Sequence, residues 1–571
     1  MPASSLEKNI IIPESIISSS QVKYLSETAD IDKTVAALLV LRNIDTPQQI
    51  HDFFNPDISS LHDPFLLKDM ELAVDRIGKA IMNREKITVY GDYDVDGITA
   101  TSLLMLSLQK LGANVQQYIP NRFIDGYGIS LDSIKTMSKE GVSLLISVDT
   151  GITANEEIDY AAGKGMDVII TDHHLPHSGY PNAYAIINPL QKECGYPYKY
   201  LCGAGLSFKL AQALYSRLEM DPADIYDLLS LVAIGSTADV VPLLGENRML
   251  VQLGFLKLEN TRRPGLLAML ELNNLIGRKI TSFDIGFKIA PMINAVGRLG
   301  SPEKSFMLLT ESDSSRAKLQ ALDLYKENEH RKELDRAITE ECYNLVEAMD
   351  LSSTYFIVLQ SENWHEGVIG IAASRVAEKY HRPTLIIATD DKNIGKGSAR
   401  SVNSFHLVES IKKCEDLLVR FGGHKYAAGL TILKKNIPEF KVRINEITAE
   451  SVKLEDLCPK IRPDMELDFA SIDLKLAAQL QRFEPFGKKN EKPLFITRNI
   501  QLVQPPRILS GSHLKIRVKH GDNYFDGLLW NQADKLDAIV NGGRNLTLVY
   551  YIEINEWNKR QTVQLNIREV A

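Results

Sequence analysis

The feature that most constrains the fold is a series of short apolar runs between residues 87 and 188, each ending in polar residues. Stretches with helical periodicity separate these runs, which are KITVYGDYD, VQQYIPNR, SLLISVDTG, DVIITDHH and AYAIINP. Strands that alternate with helices along a chain form a parallel sheet with helices on both faces. The sequence therefore predicts an α/β domain whose polar loops gather at the carboxyl ends of the strands, where open parallel sheets bind ligands.

Other stretches predict further domains, because a chain of 571 residues is too long for one hydrophobic core. Near the N-terminus, Asp45 or Thr46 can cap a short helix that has Pro47 in its first turn. Residues 314–350 have the apolar spacing of one long, highly charged helix. STYFIVLQ, GVIGIAASRVAEKY and PTLIIATD then predict a second α/β domain, and FGGHKYAAGL is expected to begin another helix. The predicted order is an N-terminal helical segment over residues 1–60, the first α/β domain over 61–313, a connecting helix over 314–350, the second α/β domain over 351–457 and a β domain over 458–571.

The last domain is predicted to be a small β-barrel. HLKIRVKHG, YFDGLLW, NLTLVYYIEINEW and RQTVQLNIREV alternate apolar and polar residues with the period of a strand. In the first run, Lys515 and Arg517 share one face, and the apolar residues share the other. Small barrels commonly bind single strands, so one interpretation is a basic strip that contacts nucleic acid. The other interpretation is an ordinary half-exposed strand.

Bulk composition argues against some classes of protein. The formal net charge of -8 is unlike that of a protein that coats nucleic acid through its overall charge, so a nucleic-acid path has to be a local basic groove. No apolar run approaches the roughly 20 residues that a membrane span needs, and the N-terminus lacks the layout of a signal peptide. The five cysteines include no C-x-x-C pair and are typical of reduced thiols. We expect a cytoplasmic protein with no membrane partner.

Acidic and imidazole side chains follow successive predicted strands. They are Asp92, Asp94 and Asp96 of GDYDVDG, Asp149 of SVDTG, and Asp172, His173 and His174 of TDHH, while Asp239 of STAD follows a later apolar helix. Oxygen-rich ligands with one or two imidazoles suit Mg²⁺ or Mn²⁺ better than zinc. Clustered carboxylates repel each other unless cations lie between them. Two such cations about 3.5–4 Å apart can activate a water and stabilise the leaving oxygen of a phosphoryl centre.

Each of these patterns has an ordinary explanation when it is taken alone. An Asp-x-Asp loop is more often a helix cap and turn, and a His-His pair is usually structural. A calcium-binding EF-hand loop would need a glutamate at its twelfth position, where Leu103 stands. Because the patterns recur at successive strand ends, together they predict a divalent-metal phosphodiesterase.

The ordered motifs resemble those of a known family. TDHH, with Asp172-His173-His174, resembles the signature of the DHH phosphoesterase superfamily. GDYDVDG, PNRFIDGYGIS, GAGLSFKL, GFKIAPMINAVGRL, WHEGVIGIAASRVAEKYHRP, GKGSARS and FGGHKYAAGL, in this order, resemble more narrowly the RecJ family of single-strand-specific exonucleases. This resemblance implies 5′→3′ degradation of single-stranded DNA to 5′ mononucleotides in DNA recombination and repair, with two Mg²⁺ or Mn²⁺ ions. It also implies a DHH domain, a long helix, a DHH-associated domain and a C-terminal OB-fold barrel.

The resemblance implies roles for individual residues. It implies that the direct metal ligands are Asp92, Asp94, Asp149, His173 and Asp239. Asp96 and Asp172 belong to the same site as ligands or as groups that orient them, and His174 orients ligands or assists protonation. The residues implied in substrate binding are Arg122, Arg298, Ser398 and Arg400 for phosphate, Gly422, Gly423 and His424 for the same cleft, and Lys515 and Arg517 on the barrel. Tyr127 is either a base-stacking platform or a core tyrosine.

Two positions depart from the family pattern. Tyr90 stands where some relatives have histidine, which predicts a slightly different second metal site. Lys489 of PFGKKN stands where relatives often have glycine, which changes the local loop and adds a candidate phosphate contact.

Partners and alternative functions follow from the same resemblance. It implies a monomer that acts on single-stranded DNA with a 5′ end, together with a single-strand-binding protein and a helicase. One alternative is a DHH enzyme for oligonucleotides or cyclic dinucleotides, which would not need the C-terminal β domain. Another is a non-catalytic single-strand-binding replication factor, which would have lost several metal ligands. Because the acids and both histidines are intact, we favour the enzyme.

Overall fold

The computed structural model describes residues 9–11, 16, 18–121, 126, 128–176, 179–299, 301–402, 405–453, 457, 460–542 and 545–570. The chain forms two compact units. Residues 325–461 make up most of one unit, and residues 12–297 and 462–571 make up most of the other. Among the helices that the structure describes, none is both long enough and apolar enough to cross a membrane.

Three N-terminal helices belong to the larger unit: Ser20–Ala29, Lys33–Leu41 and Pro47–Phe54. The last begins at a capping box, in which the Thr46 side chain accepts from the backbone of Gln49 and the Gln49 side chain accepts from the backbone of Thr46. Pro47 lies in the first turn of the helix. Backbone N–H groups at this position have no acceptor within the helix, so a proline there removes no hydrogen bond. The predicted cap is confirmed at Thr46.

A five-stranded parallel sheet forms the centre of the first α/β domain, as predicted. Its strands, in spatial order, are Val115–Tyr118, Ile87–Tyr90, Leu144–Val148, Asp167–Thr171 and Ala185–Ile187. The helices near these strands in the chain are Met70–Met82, Val95–Lys110, Leu131–Lys139 and Asn155–Gly163. The helices that follow the sheet are Gly203–Arg217, Ala223–Tyr226, Leu229–Ala238, Gly245–Glu259, Pro264–Leu272, Ser282–Asp284, Ala290–Leu299 and Glu303–Thr310, with a π-helical turn at Ile285–Ile289. The three central strands are almost fully buried, which explains their unbroken apolar runs.

One helix of 34 residues, Ser314–Glu347, occupies the stretch in which a long charged helix was predicted. The smaller unit beyond it contains a mixed sheet with the strand order Leu418–Gly423, Ala427–Leu433, Ile394–Arg400, Thr384–Thr389 and Ile357–Ser361. Only the last two strands are parallel to each other. Its helices are Ile369–Tyr380, Leu407–Lys412 and Ile437–Ser451, and a two-residue strand, Asn9–Ile10, pairs with Lys460–Ile461.

The prediction that FGGHKYAAGL begins a helix is wrong. This segment contributes to two antiparallel strands, with Gly422 paired to Gly429. Ala428, Leu430 and Ile432 are buried at every second position, which is the period of a strand rather than of a helix. The glycines leave little side-chain burial to be gained from a helix at this position.

The C-terminal β region closes into a barrel, as predicted. Its strands are Phe495–Leu509, His513–His520, Asn523–Leu529, Arg560–Val570 and Leu546–Trp557, and the last also pairs with the first. A short strand, Met465–Glu466, extends the sheet, and helices Leu474–Gln481 and Leu536–Gly542 accompany it. Residues of the barrel and of the N-terminal helices share one hydrophobic core.

A fully buried arginine joins the first α/β domain to the barrel and to the N-terminal helices. Arg248 is 1% exposed. Its guanidinium donates to the carbonyl of Phe53 at 3.0 Å and to four consecutive carbonyls, those of residues 482–485, at 2.6–3.4 Å. The ring of Phe53 lies 3.7 Å from the guanidinium carbon. Burial lowers the pKa of Arg248 to about 9, and the carbonyls compensate for the lost hydration.

We expect Arg248→Met to destabilise the larger unit by at least about 3 kcal/mol, because it leaves several buried carbonyls without donors. Urea unfolding followed by the fluorescence of Trp530 and Trp557, which both lie in the barrel sequence, measures this loss. Arg278→Met is the matched control, because Arg278 is exposed and bonds only a carbonyl of its own neighbourhood. Equal unfolding midpoints for the two variants would contradict the role of Arg248.

Candidate metal centre

The parallel register brings three of the predicted loops to one edge of the sheet. Val148 is paired with Thr171, so Asp149 and Asp172 both follow directly on neighbouring strands. The Asp149 N–H continues the ladder by donating to the Thr171 carbonyl at 2.9 Å. Asp149 has a φ of 61°, in the left-handed region that costs a non-glycine residue energy. The neighbouring structure therefore holds its carboxylate in a fixed direction.

The predicted acids and histidines converge into three overlapping groups that could each hold a metal ion. These groups are Asp92, Asp94 and Asp149; Asp96, His173 and Asp239; and Asp149, His173 and His174. Within each group the potential ligand atoms lie within 4.8 Å of one another. Asp149 and His173 each belong to two groups, so the described residues form one connected centre.

The atoms at the middle of this centre fit a cation. His173 Nε2 lies 3.1 Å from Asp149 Oδ1 and 3.7 Å from Asp239 Oδ2. Both Asp149 Oδ1 and His173 Nε2 are buried, with no hydrogen-bond partner among the described residues. Burial lowers the pKa of His173, which favours the neutral imidazole, the form whose lone pair can bind a metal ion. Two buried acceptors in contact are costly unless a cation lies between them.

The electrostatics of the acids lead to the same conclusion. Burial, reinforced by Asp94, raises the pKa of Asp92 to about 7. Burial, reinforced by Asp96 and Asp94, raises the pKa of Asp239 to about 8, and the pKa of Asp149 is also raised for these two reasons. Without metal, these carboxyls retain protons near neutral pH, and a bound divalent cation would displace them.

Asp172 and His174 form a hydrogen-bonded pair, in which His174 belongs to one of the three candidate groups. Asp172 Oδ1 accepts from the His174 backbone at 3.0 Å and lies 2.7 Å from its Nδ1, and Asp172 Oδ2 accepts from Ile152 N at 3.0 Å. Both carboxylate oxygens are therefore engaged, and Asp172 is in none of the three groups found among the described residues. Although burial opposes it, the bond to Asp172 raises the pKa of His174 to about 9. A charged, half-exposed imidazole therefore lies at the rim.

Asp96 is held by the N-terminus of a helix that the sequence did not link to it. Its oxygens accept from the backbone N–H groups of Gly203 and Ala204 at 2.6 and 2.9 Å, where helix Gly203–Arg217 begins. A carboxylate at this position is stabilised by the helix dipole. A Cβ on Gly203 would lie 2.5 Å from the Cβ of Asp149, so only glycine fits. The sequence signal for this contact is GAGLSFKL, because adjacent small residues at the start of a helix allow the side chains of other segments to approach its backbone closely.

Tyr90, the first departure from the family pattern, is part of the core. Its ring is fully buried and stacks on Tyr118 at 4.9 Å, and its hydroxyl donates to the Gly128 carbonyl at 3.0 Å. Tyr90 therefore supplies packing beneath the centre, and it is in none of the three candidate groups among the described residues.

The smaller unit brings most of its predicted phosphate-binding residues together. Arg400 donates to Ser398 Oγ at 3.1 Å, and both side chains approach Gly370 in the first turn of helix Ile369–Tyr380. Arg298 donates to the Gly367 carbonyl at 3.3 Å, just before that turn. Two guanidinium groups, a hydroxyl and a helix N-terminus are the kinds of donor that an anion site would use.

The glycine-glycine-histidine segment lies in register with this anion site. Gly422 pairs with Gly429, which pairs in turn with Ser398, and Arg400 pairs with Ala427. The His424 N–H donates to the Ala427 carbonyl at 2.9 Å, and Gly423 has a φ of 147°. Arg122 and Tyr127, by contrast, lie outside the described residues.

The two predicted cations of the barrel share a carboxylate partner. Lys515 Nζ lies 2.9 Å from Asp526, and Arg517 lies 3.6 Å from it. Leu514, Ile516 and Val518 are buried in the barrel, so the predicted alternation is confirmed. The basic strip is therefore partly neutralised, which alternation within one strand did not reveal.

Comparison with known families identifies the class of protein that this fold and centre define. The model of the DHH family, N-terminal domain, matches residues 86–236, which include most of the metal centre. The DHHA1 domain model matches residues 353–450, and the RecJ OB domain model matches residues 463–569. The chain is thus a DHH-type α/β protein with an associated domain and an OB barrel.

Similarity over nearly the whole chain narrows this class. The single-stranded-DNA-specific exonuclease RecJ of Bacillus subtilis (strain 168) is 38% identical over 553 residues, which cover 96% of this chain and 69% of that protein. RecJ from Thermus thermophilus, crystallised with Mn²⁺, matches with a TM-score of 0.82 at 28% identity and covers 99% of this chain and 79% of that one. Its crystal structure with Mg²⁺ gives a TM-score of 0.77 at 27% identity, with 99% and 78% covered. The chain belongs to the RecJ family.

We expect Mn²⁺ to raise the melting temperature of the wild-type protein, because a cation that binds only the folded state stabilises it by mass action. The rise should be larger at pH 8 than at pH 6, because acids whose pKa is raised to about 7 and about 8 must first lose their protons. Asp149→Asn should abolish the rise without destabilising the metal-free protein, since it removes one of several mutually repelling buried acids. Thermal unfolding with MnCl₂ and with a chelator measures both effects.

Asp159→Asn is the control for this measurement. Asp159 is an exposed acid of the same domain and should keep the full Mn²⁺ response. A response of wild-type size in Asp149→Asn would refute the assignment of the centre.

Proposed function

We propose that this chain is a 5′→3′ exonuclease that hydrolyses single-stranded DNA to 5′ mononucleotides with two Mn²⁺ or Mg²⁺ ions. The observation that carries the proposal is the buried contact between Asp149 Oδ1 and His173 Nε2, which lack hydrogen-bond partners within the described chain. Membership of the RecJ family supports the substrate, because the relative from Bacillus subtilis is named a single-stranded-DNA-specific exonuclease.

Asp92, Asp94 and Asp149 would hold one cation, and His173, Asp239 and Asp96 would hold the other, as two of the groups in the structure suggest. When bound, the cations supply the Lewis acidity that activates a water and stabilises charge on the phosphoryl oxygens. Asp96 is the ligand most restrained by the protein, because two backbone N–H groups already bond it. Asp172 acts by orienting His174, which directs its Nε2 toward the leaving 3′ oxygen and assists its protonation.

The anion site of the smaller unit would bind the terminal 5′ phosphate. Ser398, Arg400 and Arg298 offer charge-assisted donors, and the turn at Gly370 adds the helix dipole. Gly422, Gly423 and His424 line the same end of the sheet. Anchoring the phosphate would set the direction of digestion, because only the 5′ end of a strand carries the terminal phosphate that this site accepts.

The remaining assignments extend this proposal. Lys515 and Arg517 contact DNA phosphates on the barrel, Arg122 contacts a phosphate, and Tyr127 stacks on a base. The protein acts as a cytoplasmic monomer in recombination and repair, beside a single-strand-binding protein and a helicase. The domain limits proposed for deletion work are those predicted from the sequence, with breaks after residues 60, 313, 350 and 457.

Digestion of a 3′-labelled single strand tests the proposed activity. We expect 5′ mononucleotides and a ladder that shortens from the 5′ end, in Mn²⁺ or Mg²⁺ but not with a chelator. A strand with a 5′ phosphate should be cut faster than one with a 5′ hydroxyl, and a blunt duplex should be resistant. Asp149→Asn should bind the strand but not cut it. Mononucleotides released from the 3′ end, or activity without metal, would contradict the proposal.

We expect Asp526→Asn to tighten single-strand binding by about two- to fivefold at low salt. The variant releases Lys515 and Arg517 from their shared carboxylate, and exposed ion pairs of this kind are worth ~0.2–1 kcal/mol. Fluorescence anisotropy with a labelled oligonucleotide measures the dissociation constant. Asp522→Asn, an exposed acid of the same hairpin, removes the same charge and should change affinity less. Equal gains in the two variants would show an effect of net charge alone.

A further inference from the structure

A tight turn of the segment that leads into the barrel lies against the domain that carries the metal centre. The Lys488 carbonyl accepts from Leu243 N at 2.9 Å, four residues beyond the metal-centre acid Asp239. Gly487 lies so close to Leu243 that a Cβ on it would be 2.6 Å from that side chain. The turn itself is closed by reciprocal backbone bonds between Gly487 and Asn490, both 3.0 Å.

This turn is rigid because its base is buried and fully bonded. Asn490 has no exposed surface, and its amide donates to the carbonyls of Phe483 and Pro485 at 2.8 and 2.9 Å. Arg42 from the N-terminal helices donates to Asn490 Oδ1 at 3.2 Å, and Arg248 binds the preceding carbonyls. The position of the turn relative to the metal centre is therefore fixed by the core of the larger unit.

The turn carries two consecutive exposed lysines, Lys488 and Lys489. Lys488 is the one that interacts electrostatically with an acid of the metal centre. Lys488 is close enough to Asp239 to lower the pKa of that carboxyl, against the larger effect of burial. Within the described part of the chain, Lys488 makes no ion pair and no side-chain hydrogen bond. Lys489 has a φ of 67° and donates its backbone N–H to Glu491 at 3.1 Å. A left-handed residue at this point explains why glycine suits the position.

We propose that Lys488 binds the DNA phosphate that follows the scissile one, on the strand that remains after cleavage. The inference rests on the proposed function, since it places the scissile phosphate beside Asp239. The Lys488 side chain is exposed and makes no hydrogen bond or ion pair in the described part of the protein, so a DNA phosphate bound next to the centre would supply one. The fixed turn holds the charge in place, so little conformational entropy is lost on binding.

The experiment measures the salt dependence of single-strand binding in Mn²⁺, using a phosphorothioate oligonucleotide that resists hydrolysis. Each phosphate contact on a single strand contributes about 0.7 to the slope of log Kd against log salt. Lys488→Ala should lower the slope by about 0.7, and Lys488→Arg should keep it. Lys475→Ala is the control, since it removes one charge from an exposed lysine of helix Leu474–Gln481, to which no DNA contact is assigned; it should leave the slope unchanged.

A second measurement locates the phosphate. Oligonucleotides with one neutral methylphosphonate at the first, second or sixth internucleotide position are compared in wild type and Lys488→Ala. The effect of Lys488→Ala should vanish only with the second position neutral, as a double-mutant cycle between protein and DNA requires. Equal slopes in wild type and Lys488→Ala, an equal loss in Lys475→Ala, or a loss that persists with every methylphosphonate would overturn the inference.

Two controls separate this inference from neighbouring explanations. Mn²⁺ affinity, measured by titration without DNA, should not fall in Lys488→Ala, because the substitution removes a positive charge near Asp239. A change in Mn²⁺ affinity with an unchanged salt slope would show that Lys488 acts only on Asp239, and would overturn the inference. The binding assay needs no cleavage, so it is informative whatever the activity. Failure of the wild type to release mononucleotides would refute the proposed function, whereas an active wild type with an unchanged slope in Lys488→Ala would refute only the phosphate contact.

Discussion

Mutual repulsion among buried carboxylates at one edge of the parallel sheet is the constraint on which the site depends. Asp92 and Asp149 lie in one group of potential ligands, Asp239 lies in a second that shares His173 with the group around Asp149, and the pKa of each of the three acids is raised by burial and by neighbouring acids. Such a cluster costs folding free energy unless protons or cations neutralise it. The strain at Asp149, with its positive φ, adds to this cost. The folded protein therefore holds these carboxylates close together at a cost in electrostatic free energy, and this cost is removed when a divalent cation binds between them.

The surrounding structure prevents this edge from relaxing. The backbone N–H groups of Gly203 and Ala204 hold Asp96, and Asp172 holds His174. Farther out, Arg248 and Asn490 fix the segment that leads into the barrel against the same domain through a chain of buried carbonyls. A mobile acid cluster would separate and hydrate. These hydrogen bonds restrain the side chains around the metal centre. Binding a cation therefore relieves the repulsion between the carboxylates at a lower free-energy cost than moving them apart.

Sequence patterns predicted the parallel sheet and the barrel because burial on alternate or successive residues is a local property. The acids of the metal centre were predictable for a related reason, since the ends of parallel strands meet at one edge. Local patterns failed where the structure of a segment depends on the segment it pairs with, whether that partner is near or distant in sequence. The pairing of Gly422 with Gly429 turned a predicted helix into strands, and the bond from Gly203 to Asp96 spans 107 residues. The sharing of Asp526 by Lys515 and Arg517 depends on the strand register, which periodicity within one strand does not specify.

The charges available for DNA explain how a chain of net charge -8 can act on a polyanion. Lys515 and Arg517 share a carboxylate that partly neutralises them, and Arg400 is oriented by its bond to the Ser398 hydroxyl. Long-range attraction is then weak, and binding depends on phosphates reaching particular positions rather than on a general positive field. A strand whose backbone is extended can place successive phosphates at such points, whereas a duplex presents two backbones at fixed spacing. Under the proposed function, preference for single strands would come from a few restrained cations and from base stacking rather than from contacts that read the bases.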